Sequence, residues 1–267
     1  MSLSLVDSHA HLSMEEFEKD RYQIIENSFQ QGISSILCPS EISDPKNLEV
    51  TLDLIKKYEN IIAAGGVHPH KAKYFNSNYA KKIQTLAASK KIHAVGEIGL
   101  DFHYNFSSPK DQIKTFRLQL NIAEDLGLPV IVHSRKSGNE VALAVEEEHF
   151  TCGGVLHCFT ENWEFAKRMI NHNFFISFSG ILTFPNAHQI RESAKKIPLK
   201  KILVETDSPF LIPVPFRGKQ KRNEPLFVKQ IAKFLAELKK IDIEKLADVT
   251  TQNFESLFAF EIRKMRC

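Results

Sequence analysis

Cysteine is scarce in this chain, and none of it is spaced for metal or redox work. Of 267 residues only Cys38, Cys152, Cys158 and Cys267 are cysteine, and no two of them form a zinc-finger or dithiol pattern. They read as reduced thiols of a cytoplasmic protein. An excess of one charge is missing too. With 35 basic and 32 acidic residues the formal net charge is +3, too little to argue for nucleic acid on charge alone. No run of about 18 apolar residues occurs, so no membrane-spanning helix is expected. Met1 to His11 reaches charged and histidine-bearing positions before any long apolar stretch, and so does not read as a secretory leader. Low-complexity segments, short repeats and Gly/Ser linkers are absent. So is a Gly-rich dinucleotide fingerprint, which leaves an open dinucleotide-binding sheet without support.

What is present is a repeating alternation. A short β-branched or apolar run is followed by a polar residue and then by a helix-like stretch. The runs are Leu3–Asp7, Ser35–Cys38, Ile61–Val67, Ala94–Ile98, Pro129–Val132, Gly154–Leu156, Phe174–Phe178 and Ile202–Val204. Runs this short and continuously apolar suit strands covered on both faces, as in a parallel sheet. Between them, Ser108 reads as an N-cap with Pro109 at the first helical position, and Gly127 with Pro129 stops that helix. Glu15 to Gln31, Glu224 to Lys239 and Asp242 to Phe260 also read as helical. Strict alternation predicts an α/β parallel fold. Eight units in a chain close to the roughly 250 residues of a barrel predict a single (β/α)₈, TIM-like barrel domain over 1–267, with C-terminal helices.

Barrel enzymes carry their sites at the C-terminal ends of the strands, and those positions here are rich in metal-capable groups. His9 and His11 follow the first run. Two residues apart on an extended chain, they point to the same side. Glu97 lies between apolar neighbours, where an ionised carboxylate is costly unless it is paired or bound to a metal. His133 and His157 end the fifth and sixth runs. Asp207, after the eighth, suits a metal ligand, a general base or both, and Asp-Ser-Pro also suits a helix cap. Glu205 reads as support for a ligand rather than a ligand, and Asp101 as a turn or capping residue. His68 is a candidate partner for a substrate oxygen. His93, His149, His172 and His188 are assigned to the surface, and His103 stays open. Lys195, Lys196, Lys200 and Lys201 read as solvated charge. Arg217, Lys219, Lys221 and Arg222 follow the eighth strand and are expected on the rim, with Arg217 as a bidentate phosphate contact. Phe102, Tyr104, Phe106 and Phe159 are candidates for stacking on bases.

These segments together closely resemble the TatD family of metal-dependent deoxyribonucleases within the amidohydrolase superfamily. The resemblance runs through Asp7-Ser-His-Ala-His, Gly66-Val-His-Pro-His, Gly96-Glu-Ile-Gly-Leu-Asp, Pro129-Val-Ile-Val-His, His157-Cys-Phe-Thr and Glu205-Thr-Asp-Ser-Pro, and ends in Arg217-Gly-Lys with Arg222-Asn-Glu-Pro. It implies two divalent ions, one held by His9, His11, Glu97 and Asp207 and the other by Glu97, His133 and His157. It also implies 3′-to-5′ exonuclease action on DNA, sometimes on RNA. Family members commonly join Arg-Gly-Lys to Arg-Asn-Glu-Pro without a break, whereas here Gln220 and Lys221 intervene. Zinc, manganese and magnesium all remain open as the ion. The alternative chemistry is hydrolysis of a small amide or ester, including an aminoacyl ester, since the same ions would polarise a carbonyl.

Overall fold

The computed structural model describes residues 4–104 and 106–263. Eight parallel strands run in sequence order around one sheet, from β1 (Leu5–Asp7) through β2 (Ile33–Glu41), β3 (Ile61–Gly66) and β4 (Ala94–Asp101). β5 (Val130–Arg135), β6 (Gly154–Leu156), β7 (Phe174–Phe178) and β8 (Ile202–Val204) complete it. The first and last strands meet where Ser8 donates its backbone N–H and its hydroxyl to the Val204 carbonyl, at 3.1 and 3.0 Å. A bridge between Ala10 and Ser208 extends that seam. The result is the expected barrel. Leu3 and Cys267, both named from the sequence, lie outside the described residues.

Between the strands lie α1 (Arg21–Gln30), α2 (Pro45–Lys57), α3 (Ser77–Ala88), α4 (Pro109–Leu126), α5 (Gly138–Glu147), α6 (Trp163–Asn171) and α7 (His188–Lys196), with α8 (Val228–Lys239) and α9 (Ile243–Phe258) after β8. α4 starts and stops as its sequence dictates. The Ser108 hydroxyl accepts from the Asp111 N–H at 3.1 Å, Pro109 opens the first turn, and Gly127 closes the helix at φ 63°. The segment read as one helix from Glu15 to Gln31 is instead a 3₁₀ turn, Glu15–Phe17, followed by α1. The break accommodates Arg21, buried at the start of α1, whose guanidinium donates to the carbonyls of Leu12 and Met14. Pro225 likewise begins a 3₁₀ turn ahead of α8.

Alternation along the strands sorts the core into two layers. Val6, Leu37, Ile62, Ala94, Ile131, Val155 and Leu203 cluster with Phe254 and Phe258 of α9. They fill the barrel, and α9 plugs its N-terminal end. Their strand neighbours, among them Leu5, Ile36, Val95, Val130 and Ile202, join the larger cluster beneath the surrounding helices. Continuing the inward register toward the C-terminal mouth takes Ile131 to His133, Val155 to His157, Ala64 to His68 and Leu203 to Glu205. The pattern that packs the barrel therefore also aims polar groups into its mouth.

Several surface assignments need correction. His93 is half-buried, edge-on to Phe260 with ring centroids 5.5 Å apart, and burial pushes its pKa down. His172 is half-buried beside Glu146, at 3.5 Å. Lys201 is partly covered, with its ammonium 4.7 Å from the Phe175 ring centroid, and burial lowers its pKa. Among the described residues no helix is long and apolar enough to cross a membrane.

Candidate metal centre

Glu97 owes its inward direction to a break in the register of β4. Ala94 faces the barrel interior and Val95 the helices. Pairing with β5 then shifts between Val95 and Ile98, a local bulge that exchanges the two faces. Beyond it Ile98 and Leu100 face outward, which leaves Glu97, Gly99 and Asp101 on the inner side. Gly99 is required there. At φ +133° a side chain is strained, and a Cβ would lie 2.1 Å from the His133 carbonyl oxygen on the neighbouring strand.

The two oxygens of Glu97 face two different groups of donors. Oε2 lies 3.4 Å from His9 Nε2 and 3.7 Å from His11 Nε2. These imidazole nitrogens are 3.2 Å apart, and Asp207 Oδ1 stands 4.0 and 3.3 Å from them. On the other side, Oε1 lies 2.8 Å from His157 Nε2, 3.0 Å from His133 Nδ1 and 3.3 Å from His68 Nε2. His133 Nδ1 and His157 Nε2 are 3.3 Å apart. Nitrogen and oxygen ligands bound at about 2.0–2.2 Å to a common ion are separated by roughly 3–4 Å, depending on the angle between them, so both groups are spaced as ligand sets. Burying this many imidazoles and carboxylates together without a cation is unfavourable, and the donor set therefore fits divalent metal.

The charges of the cluster are mutually adjusted. Burial would raise the Glu97 carboxyl, but the charge on His157 and hydrogen bonds from His133 and His157 hold it well below the ordinary range. Asp207 is lowered in the same way: burial opposes, and the hydrogen bond from His11 prevails. Burial depresses His9, and it takes His68 to about 4. Against the same burial, carboxylate partners raise His11, His133 and His157.

Around the donors runs an outer ring of carboxylates. Asp7 is fully buried, and its carboxylate accepts from the Thr206 N–H at 2.8 Å, the Thr206 hydroxyl at 2.6 Å and the His9 N–H at 3.3 Å. It thereby fixes the strand ends bearing His9 and Asp207 relative to each other. Asp207 itself sits at φ 56°, a conformation that Asp tolerates better than most residues. Glu205 Oε1 stands 3.5 Å from His157 Nδ1 and accepts from the Cys158 N–H, in keeping with a supporting place. Asp101 does more than the turn or capping role its sequence predicts. Its Oδ1 does accept from the backbone of His103 and Tyr104, at 2.9 and 3.0 Å, while Oδ2 lies 3.1 Å from His133 Nε2 and 3.0 Å from His70 Nε2. A carboxylate on the far nitrogen of a ligating histidine fixes the ring and raises its basicity. Asp101→Asn is accordingly expected to weaken metal retention about 10- to 100-fold, read by competition with a fluorescent chelator.

The sequence assigns His68 to substrate, yet its Nε2 also lies 3.3 Å from the Glu97 carboxylate, only a little beyond the donors beside it. Spatial groupings of possible ligands place His68 with Glu97 and His133, His9 with His11 and Asp207, and His9 with His157 and Glu205. The third shares residues with the others, and the 2.8 Å contact to Glu97 assigns His157 to the Oε1 side. The basic run after β8 divides. Arg217 is exposed, with its guanidinium 3.9 Å from the Phe184 ring centroid. Arg222 is occupied with Asp20 at 2.5 Å and lies 4.6 Å from the Phe17 centroid, so it ties the loop to the Glu15–Phe17 turn and is not free on the rim. Asn223, fully buried, donates to the carbonyls of Thr206 and Phe210 at 2.8 and 2.6 Å. Arg222-Asn-Glu-Pro thus braces the strand end that carries Asp207, and Gln220 and Lys221 are absorbed in an exposed turn. Of the aromatic candidates, Phe159 is buried against Phe165 and Phe178, and Phe102 is packed against the core, while Tyr104 and Phe106 are exposed.

Comparison with known proteins adds relatives to this geometry. A family model described as TatD related DNase matches residues 6–259. The chain is 40% identical over 256 residues, 95% of its own length and 98% of the other, to YabD of Bacillus subtilis, an uncharacterized metal-dependent hydrolase. It is 31% identical over 258 residues, again 95% and 98%, to the 3′-5′ ssDNA/RNA exonuclease TatD of Escherichia coli. Among solved structures, the TatD homologue YJJV of Escherichia coli superposes with a TM-score of 0.90 at 27% identity, covering 98% of this chain and 100% of that one.

Proposed function

The chain belongs to the TatD-related DNase family of metal-dependent hydrolases, and from that premise we propose that it hydrolyses phosphodiesters, removing nucleotides stepwise from the 3′ end of a DNA or RNA strand. The observation that carries this reading is the division of Glu97, with one oxygen toward His9, His11 and Asp207 and the other toward His133, His157 and His68. In this reading His9, His11, Glu97 and Asp207 hold one divalent ion, and Glu97, His133 and His157 hold a second. Four imidazoles with carboxylates suit zinc or manganese, and a phosphate substrate also admits magnesium. When bound, such ions supply Lewis acidity toward a phosphoryl oxygen and bring the pKa of water toward neutrality.

The residues of the chain do the remaining work. Asp207, ionised and at the edge of the Oε2 group, accepts the proton of the attacking water. His68, kept neutral by burial near neutral pH, orients a phosphoryl oxygen through Nε2. In this reading Arg217, exposed after β8, meets a phosphate farther along the strand, and phosphate contacts of this kind are commonly bidentate. Asp7, Asp101 and Glu205 hold the donors in position. A cytoplasmic location belongs to the same proposal, supported by the unpaired Cys38, Cys152 and Cys158.

One observation favours a small amide or ester instead. A cleft of about 470 Å³ opens beside His11 and His68, and Glu15, Glu16, Glu18 and Asp44 on its wall are ill suited to a polyanion. The experiment that separates the readings uses single-stranded DNA labelled at the 5′ or the 3′ end, with Mg²⁺, Mn²⁺ or EDTA. Metal-dependent shortening from the 3′ end is expected. A metal-loaded protein that leaves every strand intact yet cleaves amide or aminoacyl ester substrates would overturn the phosphodiester reading.

A further inference from the structure

The loop after β4 presents the one pair of large aromatic side chains that lies exposed beside the centre among the described residues. Tyr104 is 42% and Phe106 57% exposed. Their ring centroids are 5.6 Å apart at an interplanar angle of 33°, and both rings contact His70, at 5.7 and 4.8 Å. His70 in turn shares the Asp101 carboxylate with His133, and the two imidazole centroids are 6.4 Å apart. The aromatic surface therefore starts one side chain away from a candidate metal ligand.

The rings are held, although they are exposed. Gln112 of α4, buried, accepts from the Asp101 N–H at 2.7 Å and donates to the carbonyls of Asp101 and Ser107 at 2.9 and 3.0 Å. The Ser107 hydroxyl donates to the His70 carbonyl at 3.0 Å and accepts from the Lys73 N–H at 3.2 Å. Both ends of the loop are thus pinned to α4 and to the Pro69–Tyr74 turn. Large exposed rings beside a polar centre carry an apolar face that a flat ligand would cover.

Charge around the mouth indicates which way a polyanion lies. On the side of β1 and β2 the wall is acidic: Lys46 is spent on Glu15 and Glu18 and Arg21 on backbone carbonyls, and exposed Lys71 stands at its β3 edge. On the side of β4 and β5, exposed Arg135 stands with its guanidinium 4.9 Å from the Tyr104 centroid, and exposed Lys73 lies at the foot of the loop. Aromatic faces flanked by cations are the combination that binds single strands, because every base has a face to stack and every linkage a phosphate to pair.

We infer that Tyr104 and Phe106, backed by His70, form a stacking platform for the nucleobase of the terminal nucleotide, so that the unpaired base of a single strand is what the enzyme recognises. The inference rests on the phosphodiester reading above and adds to it the part of the substrate that is read. It also resolves the acidic wall: the terminal nucleotide lies on the side of β4 and β5, away from it.

The test compares kcat/KM for two single strands that are identical except at the 3′ end, one closing in thymidine and the other in an abasic tetrahydrofuran nucleotide. The unmodified protein is expected to favour the base-bearing end by about 5- to 150-fold, the range given by stacking of one base. In the Tyr104→Ala/Phe106→Ala double variant that ratio should fall close to one. Leucine at both positions keeps the apolar bulk and should lose the ratio as well, whereas Tyr104→Trp should retain it. Terminal 2-aminopurine, a fluorescent base quenched by stacking, should be quenched by the unmodified protein and not by the double variant. Equal cleavage of the two strands by the unmodified protein, or a ratio that survives in the double variant, would overturn the platform and leave the nuclease reading intact. Failure to cleave any strand would overturn both.

Discussion

Glu97→Ala is expected to empty both halves of the centre and to reduce hydrolysis to background. The reason is the shared carboxylate: its two oxygens lie 3.4 and 2.8 Å from His9 and His157, one turned toward each group of donors. The substitution removes a ligand from each set and, with it, the anion that chiefly raises His157 and that raises His133 together with Asp101. The loss should exceed the about 10⁴-fold ceiling of a single acid–base residue. Metal content, measured by mass spectrometry on the purified protein, should fall below one ion per chain. Glu97→Gln preserves shape and one acceptor oxygen, so it should retain metal on a single side only. A Glu97→Ala protein that still carries two ions and still hydrolyses substrate would show that the carboxylate divides nothing.

Asp207→Asn separates chemistry from metal binding. The group around Glu97 Oε2 would still contain His9 and His11 at their mutual 3.2 Å, so most of the metal should remain, bound more weakly. What disappears is an ionised acceptor for the proton of water, held ionised by its hydrogen bond from His11 against its own burial. The expected loss is about 10²- to 10⁴-fold in kcat, with kcat/KM falling in parallel, as when an interaction made only in the transition state is removed. Steady-state kinetics at saturating metal measures it. A variant with unchanged kcat and a raised KM would assign Asp207 to binding alone.

Much of the barrel was legible because its strands are short and apolar on both faces. β6, β7 and β8 begin and end where their apolar runs do. The same logic failed at the end of β4. The apolar run stops at Ile98, but the strand continues to Asp101, and a two-residue alternation counted from Glu97 would have carried Asp101 inward beside it. The register shift between Val95 and Ile98 hides that count, since positions 94 and 97 share a face only if a bulge intervenes. Asp7 escaped for a different reason. A carboxylate at a strand end is common, and only the closure of the barrel brings it 199 residues along the chain to Thr206. Arg222 reads by charge and position as a rim group, while its partner Asp20, like the Thr206 carbonyl that Asn223 meets, is set by tertiary packing alone. Phe159 and Phe106 show the same limit. One aromatic is core and the other exposed, and nothing local in the sequence separates them.

In the proposed centre Glu97 is shared between two ions. Anomalous diffraction from crystals of the unmodified protein grown with Mn²⁺ or Zn²⁺ tests it most directly. Two peaks are expected, one against Oε2 among His9, His11 and Asp207 and one against Oε1 among His133 and His157. A single peak at saturating metal, or two peaks on one side of Glu97, would contradict it.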